Sequence, residues 1–222
     1  TEVKSPPPYG LAAADIWFRE LGRVTGKEKE VEEYIASERA RVIPQIAEYK
    51  EKLKGKRAFV VAGGIYGHSI MYILKELGIE VAGGAIFHHD QKFDNEDEKT
   101  DSLEHLVNNY GDVDNFSISH KQSYELVNIL NRIKPDIFIV RHPGMSIWGA
   151  KLGIPTFLMG DEQFGFGYQG ILNYAEKIAD TISNPAYVKN LAKHTKLPYT
   201  KWWLEQDPHY FVNKESEVEE SV

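Results

Sequence analysis

The chain has 222 residues, 42% of them hydrophobic and 27% charged, enough apolar material for one substantial core or a core with a helical appendage. A net charge of -7 with no basic stripe argues against a surface that neutralises nucleic-acid phosphates, and zero cysteines exclude disulfides, thiolate zinc sites and thiolate-held iron–sulfur clusters inside the chain. No apolar run approaches the roughly 20 residues that span a bilayer, and no secretory signal opens the chain, so the cytoplasm is the default compartment. The first residue is Thr1 rather than methionine, ahead of the proline-rich Pro6-Pro7-Pro8-Tyr9-Gly10, which reads as a fragment of a longer protein.

In chain order, Leu11, Ile16, Trp17 and Leu21 predict a helix with Asp15 and Glu20 facing outward, broken at Thr25-Gly26. A long charged helix follows, with Val31, Ile35, Val42, Ile46, Tyr49 and Leu53 on its apolar face; Pro44 should kink it or start a second helix. These elements make residues 1–56 an N-terminal helical segment. From residue 57 the pattern alternates strand and helix, which predicts a Rossmann-like α/β domain over 57–213, a parallel sheet flanked by helices. Its expected strands are Ala58 to Ala62, Glu80 to Phe87 interrupted at Gly83-Gly84, a weaker Val113 to Ile118, Ile137 to Val140 and Pro155 to Met159. The expected helices run from the Gly63-Gly64 turn to Leu77 with Gly78 behind it, from Ser102 to Tyr110, from a Ser119/Gln122 capping box through Ile133, from Ser146 to Leu152, and from Ile171 to Ser183, with more beyond Pro185. Residues 214–222 form an acidic tail.

In an open parallel sheet, ligands bind at the carboxyl ends of the strands, where helix amino termini offer free N–H groups. That rule gathers Gly63, Gly64, Ile65, Tyr66, Gly67 and His68, then His88, His89 and Asp90, Ser117 to His120, Arg141 and His142, and Asp161 and Glu162. Adjacent glycines at 63 and 64 let backbone donors approach a phosphate or cluster sulfur, or they simply satisfy a tight turn; G-G-x-x-G is neither a dinucleotide fingerprint nor a Walker loop. His88 and His89 point to opposite faces of a strand, so both do not readily bind one ion; a single ligand or a hydrogen-bonding role competes with a solvated, structural one. His68, His120 and His142 read either as donors to an anion or as structural residues. Asp161-Glu162 reads as a carboxylate pair for base or ligand duty, or as a helix-entry acidic pair. The tryptophans Trp17, Trp148, Trp202 and Trp203 are expected in the core or in a subunit contact. No catalytic residue and no metal-ligand set is assigned.

Several segments together resemble the later two-thirds of nitrogenase component 1 subunits and their cofactor-assembly relatives. They are Pro8-Tyr9-Gly10, Ser37-Glu38-Arg39-Ala40-Arg41, Leu53-Lys54-Gly55-Lys56-Arg57 leading to Gly63-Gly64, Lys134-Pro135-Asp136, Leu152-Gly153-Ile154-Pro155, and Gly167-Tyr168-Gln169-Gly170 through Ile178. The resemblance covers about Pro6 to Asn184. It implies Rossmann-like domains around an iron–sulfur or other iron-containing metallocluster in the parent protein, none of it held by this chain alone. It also implies homologous component 1 subunits and an ATP-dependent iron–sulfur reductase as partners, with no nucleic acid and no membrane. Gly63, Gly64 and Ile65 correspond to the family's loop against the active-site cofactor, and Tyr66 stands where the family has arginine. The family's cysteine ligands would lie upstream, and its cofactor-ligating histidine would fall near Gly160 to Phe164, where this sequence reads Gly160-Asp161-Glu162-Gln163-Phe164.

The resemblance implies a piece of a nitrogenase-like oxidoreductase subunit that forms part of a cluster or substrate cavity in ATP-driven low-potential reduction, the isolated chain being inactive. A non-catalytic cofactor-assembly or scaffold module is the alternative. An enzyme binding a phosphorylated or nucleotide-linked substrate at the same strand ends is a weaker third.

Overall fold

The computed structural model describes residues 2–88, 97, 99–118, 123–160, 162–207 and 210, with only the backbone of 162 and 163. In chain order the elements are α1 (Gly10–Thr25), α2 (Glu28–Leu53), β1 (Arg57–Gly63), α3 (Gly64–Glu76), β2 (Glu80–Phe87), α4 (Ser102–Tyr110), β3 (Phe116–Ile118), α5 (Ser123–Ile133), β4 (Ile137–Val140), α6 (Pro143–Leu152) and β5 (Thr156–Leu158). A 3-10 turn (Glu162–Gly165), α7 (Gly167–Ser183), α8 (Ala186–Lys193) and α9 (Lys201–Glu205) complete them. The expected Ser119/Gln122 capping box and the acidic tail lie outside the described residues.

The strands form one parallel sheet in the order β3-β2-β1-β4-β5, so the chain reverses direction of travel across the sheet between β1 and β4. This is the doubly wound Rossmann-like arrangement. β1 is central, and Ala58 to Ala62 are each 0% exposed, as an unbroken apolar run requires when both faces are covered. Ala58 and Val60 face one layer, built from α1, α2, α3, α4 and α7. Phe59 and Val61 face the other, where Leu126 and Leu130 of α5 and Ile154 behind α6 pack. The N-terminal helices share the first of these cores with the sheet.

The glycine interruption in β2 is a β-bulge. Ala58 pairs with Val81 but Phe59 pairs with Gly83, leaving Ala82 without a place in the register. Gly83 takes φ 158°, and a Cβ there would lie 2.7 Å from Phe59 Cε2. Asn115 Nδ2 donates to the displaced Ala82 carbonyl at 3.0 Å, and Asn115 adopts φ 49° to reach it. Serving the bulge takes residue 115 out of the extended conformation, so β3 starts at Phe116 rather than Val113.

Two other expectations are corrected. Pro44 does not start a second helix, since α2 runs on through it; it sits on the exposed side, where water can meet the carbonyl it leaves unbonded, and Gln45 Nε2 donates to the next carbonyl, Arg41 O, at 3.0 Å. Asp15 does not face outward: it is 8% exposed and holds Arg39 and Tyr168. The inner face of α1 is small, Ala13 and Ala14, because α2, α3 and α7 all approach it closely. Of the tryptophans, Trp148 packs against the second core, while Trp202 is 50% exposed.

Candidate functional site

The site is built at the carboxyl ends of β2, β1 and β4. β1 delivers Gly63, which is the N-cap of α3 with φ -68° and ψ 161°, an ordinary extended conformation. A Cβ on Gly63 would meet, among the described residues, only Phe87 O, at 3.7 Å, an ordinary contact. Among the described residues, neither backbone nor packing therefore demands glycine at 63. Gly67, one turn into α3, is different: a Cβ there would lie 2.3 Å from Ile86 Cδ1, so the helix needs a bare residue to lie against β2. The two readings of the glycine loop separate by position, with close packing at Gly67 and an open strand end at Gly63.

β4 delivers Arg141 and His142. Arg141 N donates to Val61 O at 2.9 Å, extending the ladder against β1 by one residue past the strand. Its guanidinium lies over the Tyr66 ring, 4.0 Å from the centroid, so a cation from β4 covers an aromatic ring of the first turn of α3. His142 is the N-cap of α6, whose first residue is Pro143; the expected start at Ser146 is thus three residues late, because proline is well placed in a first helical turn. Two helix amino termini, those of α3 and α6, flank the switch between β1 and β4, and their unsatisfied N–H groups favour negative charge.

β2 delivers His88, which is exposed and takes φ 61°, a left-handed conformation uncommon outside glycine. That turn brings its ring within 6.3 Å of the His142 ring, centroid to centroid, with Phe87 5.0 Å from His142 behind them. Ile65 is 50% exposed at the same edge.

His68 does not join this cluster. It is 1% exposed, its Nδ1 lies 2.8 Å from Ser102 Oγ and its ring stacks on Phe116, so it ties α3 to α4 and β3. His89, Asp161, Ser119 and His120 lie outside the described residues, and Glu162 opens the 3-10 turn with its side chain undescribed. Sequence reasoning collected Arg141 and His142 by the strand-end rule but missed what they meet. Their partners, Tyr66 and His88, come from other strand-helix turns, and no local pattern encodes that contact.

Among the described residues no three His, Asp or Glu side chains converge as a metal site, and the chain has no cysteine. At this edge the described residues present backbone, the Arg141 guanidinium and the imidazoles of His88 and His142. No helix among the described residues is long and apolar enough to cross a membrane.

Residues 1–183 match the family described as nitrogenase component 1 type oxidoreductase. The chain belongs to that family. It is 27% identical over 174 residues to the nitrogenase molybdenum-iron protein alpha chain of Methanococcus maripaludis, covering 77% of this chain and 34% of that one. It is 24% identical over 215 residues to the nitrogenase iron-molybdenum cofactor biosynthesis protein NifE of Rippkaea orientalis, covering 94% and 42%. The solved structure described as nitrogenase Cp1 at pH 5 superposes with a TM-score of 0.62 at 20% identity, over 88% of this chain and 43% of that chain, which shows the shared fold. The chain spans between about a third and two-fifths of the length of these relatives.

Proposed function

We propose that this chain forms part of the wall of a metallocluster or substrate cavity in a nitrogenase-like oxidoreductase subunit working in ATP-driven low-potential reduction. The observation that carries the reading is Gly63. The strand end is bare where neither backbone conformation nor packing among the described residues calls for glycine, which leaves room for a group to rest against the backbone. Arg141 over Tyr66 and the N–H groups of the first turn of α3 stabilise negative charge on such a group. The ligands that anchor it come from elsewhere in the parent, since this chain lacks thiolates. Residues 1–56 act as a helical buttress for the 57–213 domain, the cytoplasm is the setting, and a homologous component 1 subunit and an ATP-dependent iron–sulfur reductase are the partners.

Reconstitution of the isolated chain with iron and sulfide tests this reading. The expected product has no stoichiometric cluster; a stable, visible-absorbing cluster on the chain alone overturns it.

The match over 94% of the chain to a cofactor-biosynthesis protein supports a second reading, a cofactor-assembly scaffold. The two separate in the purified parent with its reductase: sustained substrate reduction supports catalysis, and delivery of a cluster to an acceptor protein without reduction supports assembly.

A further inference from the structure

We infer that the groove between α1 and α4 is a binding site for a small phosphate monoester. Its volume is about 620 Å³, within the roughly 300–1,000 Å³ of small-molecule sites. Ile16, Arg19, Glu20 and Arg23, three and four residues apart, place one face of α1 along one side. Glu104, His105, Asn108 and Asn109 do the same for α4 on the other. Lys4 and Lys99 come from the segments that lead into the two helices, and Lys4 Nζ meets Asp97 Oδ2 at 2.8 Å, which ties those segments together.

The charge of the groove opposes that of the chain. Its lining carries four cations, Lys4, Arg19, Arg23 and Lys99, against two carboxylates, Glu20 and Glu104, in a protein of net charge -7. Glu20 is already engaged, since Arg23 Nε and Nη2 donate to its two oxygens at 2.8 and 2.6 Å. Arg19 is held in the same way by Glu32, through Nε at 2.7 Å and Nη2 at 3.2 Å. These pairs fix both guanidinium planes and leave further N–H groups on each, because a guanidinium has more donors than one carboxylate takes. The Lys99 backbone N–H donates to Asp97 Oδ1 at 3.1 Å, while its Nζ makes no hydrogen bond among the described residues.

A buried donor separates this groove from a chance cluster of surface charge. His105 is 7% exposed, and its Nδ1 accepts from Asn109 Nδ2 at 3.2 Å. The ring proton therefore sits on Nε2, which is buried without a hydrogen-bond partner among the described residues. Leaving such a donor unmet is unfavourable, and a ligand oxygen seated in the groove accepts from it. A phosphate monoester suits the whole set better than a carboxylate does: it brings three terminal oxygens and close to two negative charges near neutral pH to several separate donors. Pro6 and the exposed Ile16 give its organic body an apolar surface. The groove shares no lining residue with the strand-end edge, so binding here stands or falls separately from the cavity-wall reading.

Calorimetric titration of the full chain with phenyl phosphate tests the site. One molecule per chain is expected, with Kd raised about tenfold in Lys99→Gln and in His105→Phe, which loses the Nε2 donor, and largely restored in His105→Gln, whose amide supplies a donor at similar reach. Lys193→Gln, on α8 where that helix packs on α6 at the opposite face of the sheet, should leave Kd unchanged. Lys99 is exposed, so its variant leaves folding intact and decides the matter alone if circular dichroism finds a His105 variant unfolded. Absence of saturable binding at millimolar phenyl phosphate overturns the proposal, as does a Kd that Lys99→Gln leaves unchanged. Succinate bound as tightly as phenyl phosphate overturns the assignment to a phosphate.

Discussion

Tyr168 donates its phenol hydrogen to Asp15 Oδ1 at 2.6 Å, joining α7 to α1 across 153 residues of sequence. Arg39 of α2 closes on the same carboxylate, with Nη2 2.8 Å from Oδ2, so one buried acid ties three helices to each other beneath the sheet. Replacing Asp15 with alanine leaves a buried hydroxyl and a guanidinium without their acceptor. The expected loss is about 2 kcal/mol, below the full cost of a broken buried pair because Arg39 keeps contact with water. Asp15→Asn, which retains an acceptor for Tyr168, should lose about half as much, and Arg23→Ala, at an exposed pair with Glu20, little or nothing. Urea denaturation of the three variants measures the series.

The glycine positions divide into structural and open ones. A Cβ on Gly170 would fall 2.0 Å from Gly165 O, a backbone atom that cannot swing aside, so Gly170→Ala should cost about 2–3 kcal/mol by prising α7 from the preceding turn. Gly63→Ser should leave the thermal midpoint unchanged or slightly raised, because serine suits the extended N-cap conformation that glycine already adopts there. A large loss of stability in Gly63→Ser would show that the fold itself requires this glycine.

Two buried phenols and one half-buried phenol set the alkaline limit. Burial pushes the Tyr72, Tyr110 and Tyr168 hydroxyls above the ordinary phenol range, helped at Tyr110 and Tyr168 by the carboxylates of Glu76 and Asp15. A phenol raised in the fold contributes stability that is complete below its unfolded value near 10 and is lost as pH climbs past it. For Tyr72 the loss is up to about 1.4 kcal/mol per pH unit above 10. Thermal midpoints between pH 8 and 11 should fall steeply above 10, and less steeply in Tyr72→Phe. On the acid side, burial lowers the His105 value, so stability present above about 6.5 declines as pH falls below it; His105→Gln should flatten that limb.

Asn128 holds the last described helix. Its Nδ2 donates to Trp203 O at 2.8 Å and to Gln206 O at 2.9 Å from a fully buried position on α5. Asn128→Ala should cost about 1–2 kcal/mol and raise amide exchange across residues 201–207 while leaving β1 protected. Hydrogen exchange read by mass spectrometry distinguishes this local release from a global loss.

The unbroken apolar run at Ala58 to Ala62, the helix period through Leu53 and the stop at Gly78 were enough to predict a parallel α/β module, because burial on both faces and backbone capping leave local signatures. The strand-end rule then placed Gly63, Arg141 and His142 at one edge without coordinates. Tertiary structure alone decided what meets there. Asp15 reads as a surface acid in a helical pattern and is buried because two other helices bring it Arg39 and Tyr168. The same rule gathers His88 with His142 at one edge, but only the structure shows the two rings 6.3 Å apart across the intervening strand. Such contacts join residues from 24 to 153 positions apart, and sequence period records which face a residue occupies but not which distant side chain shares it.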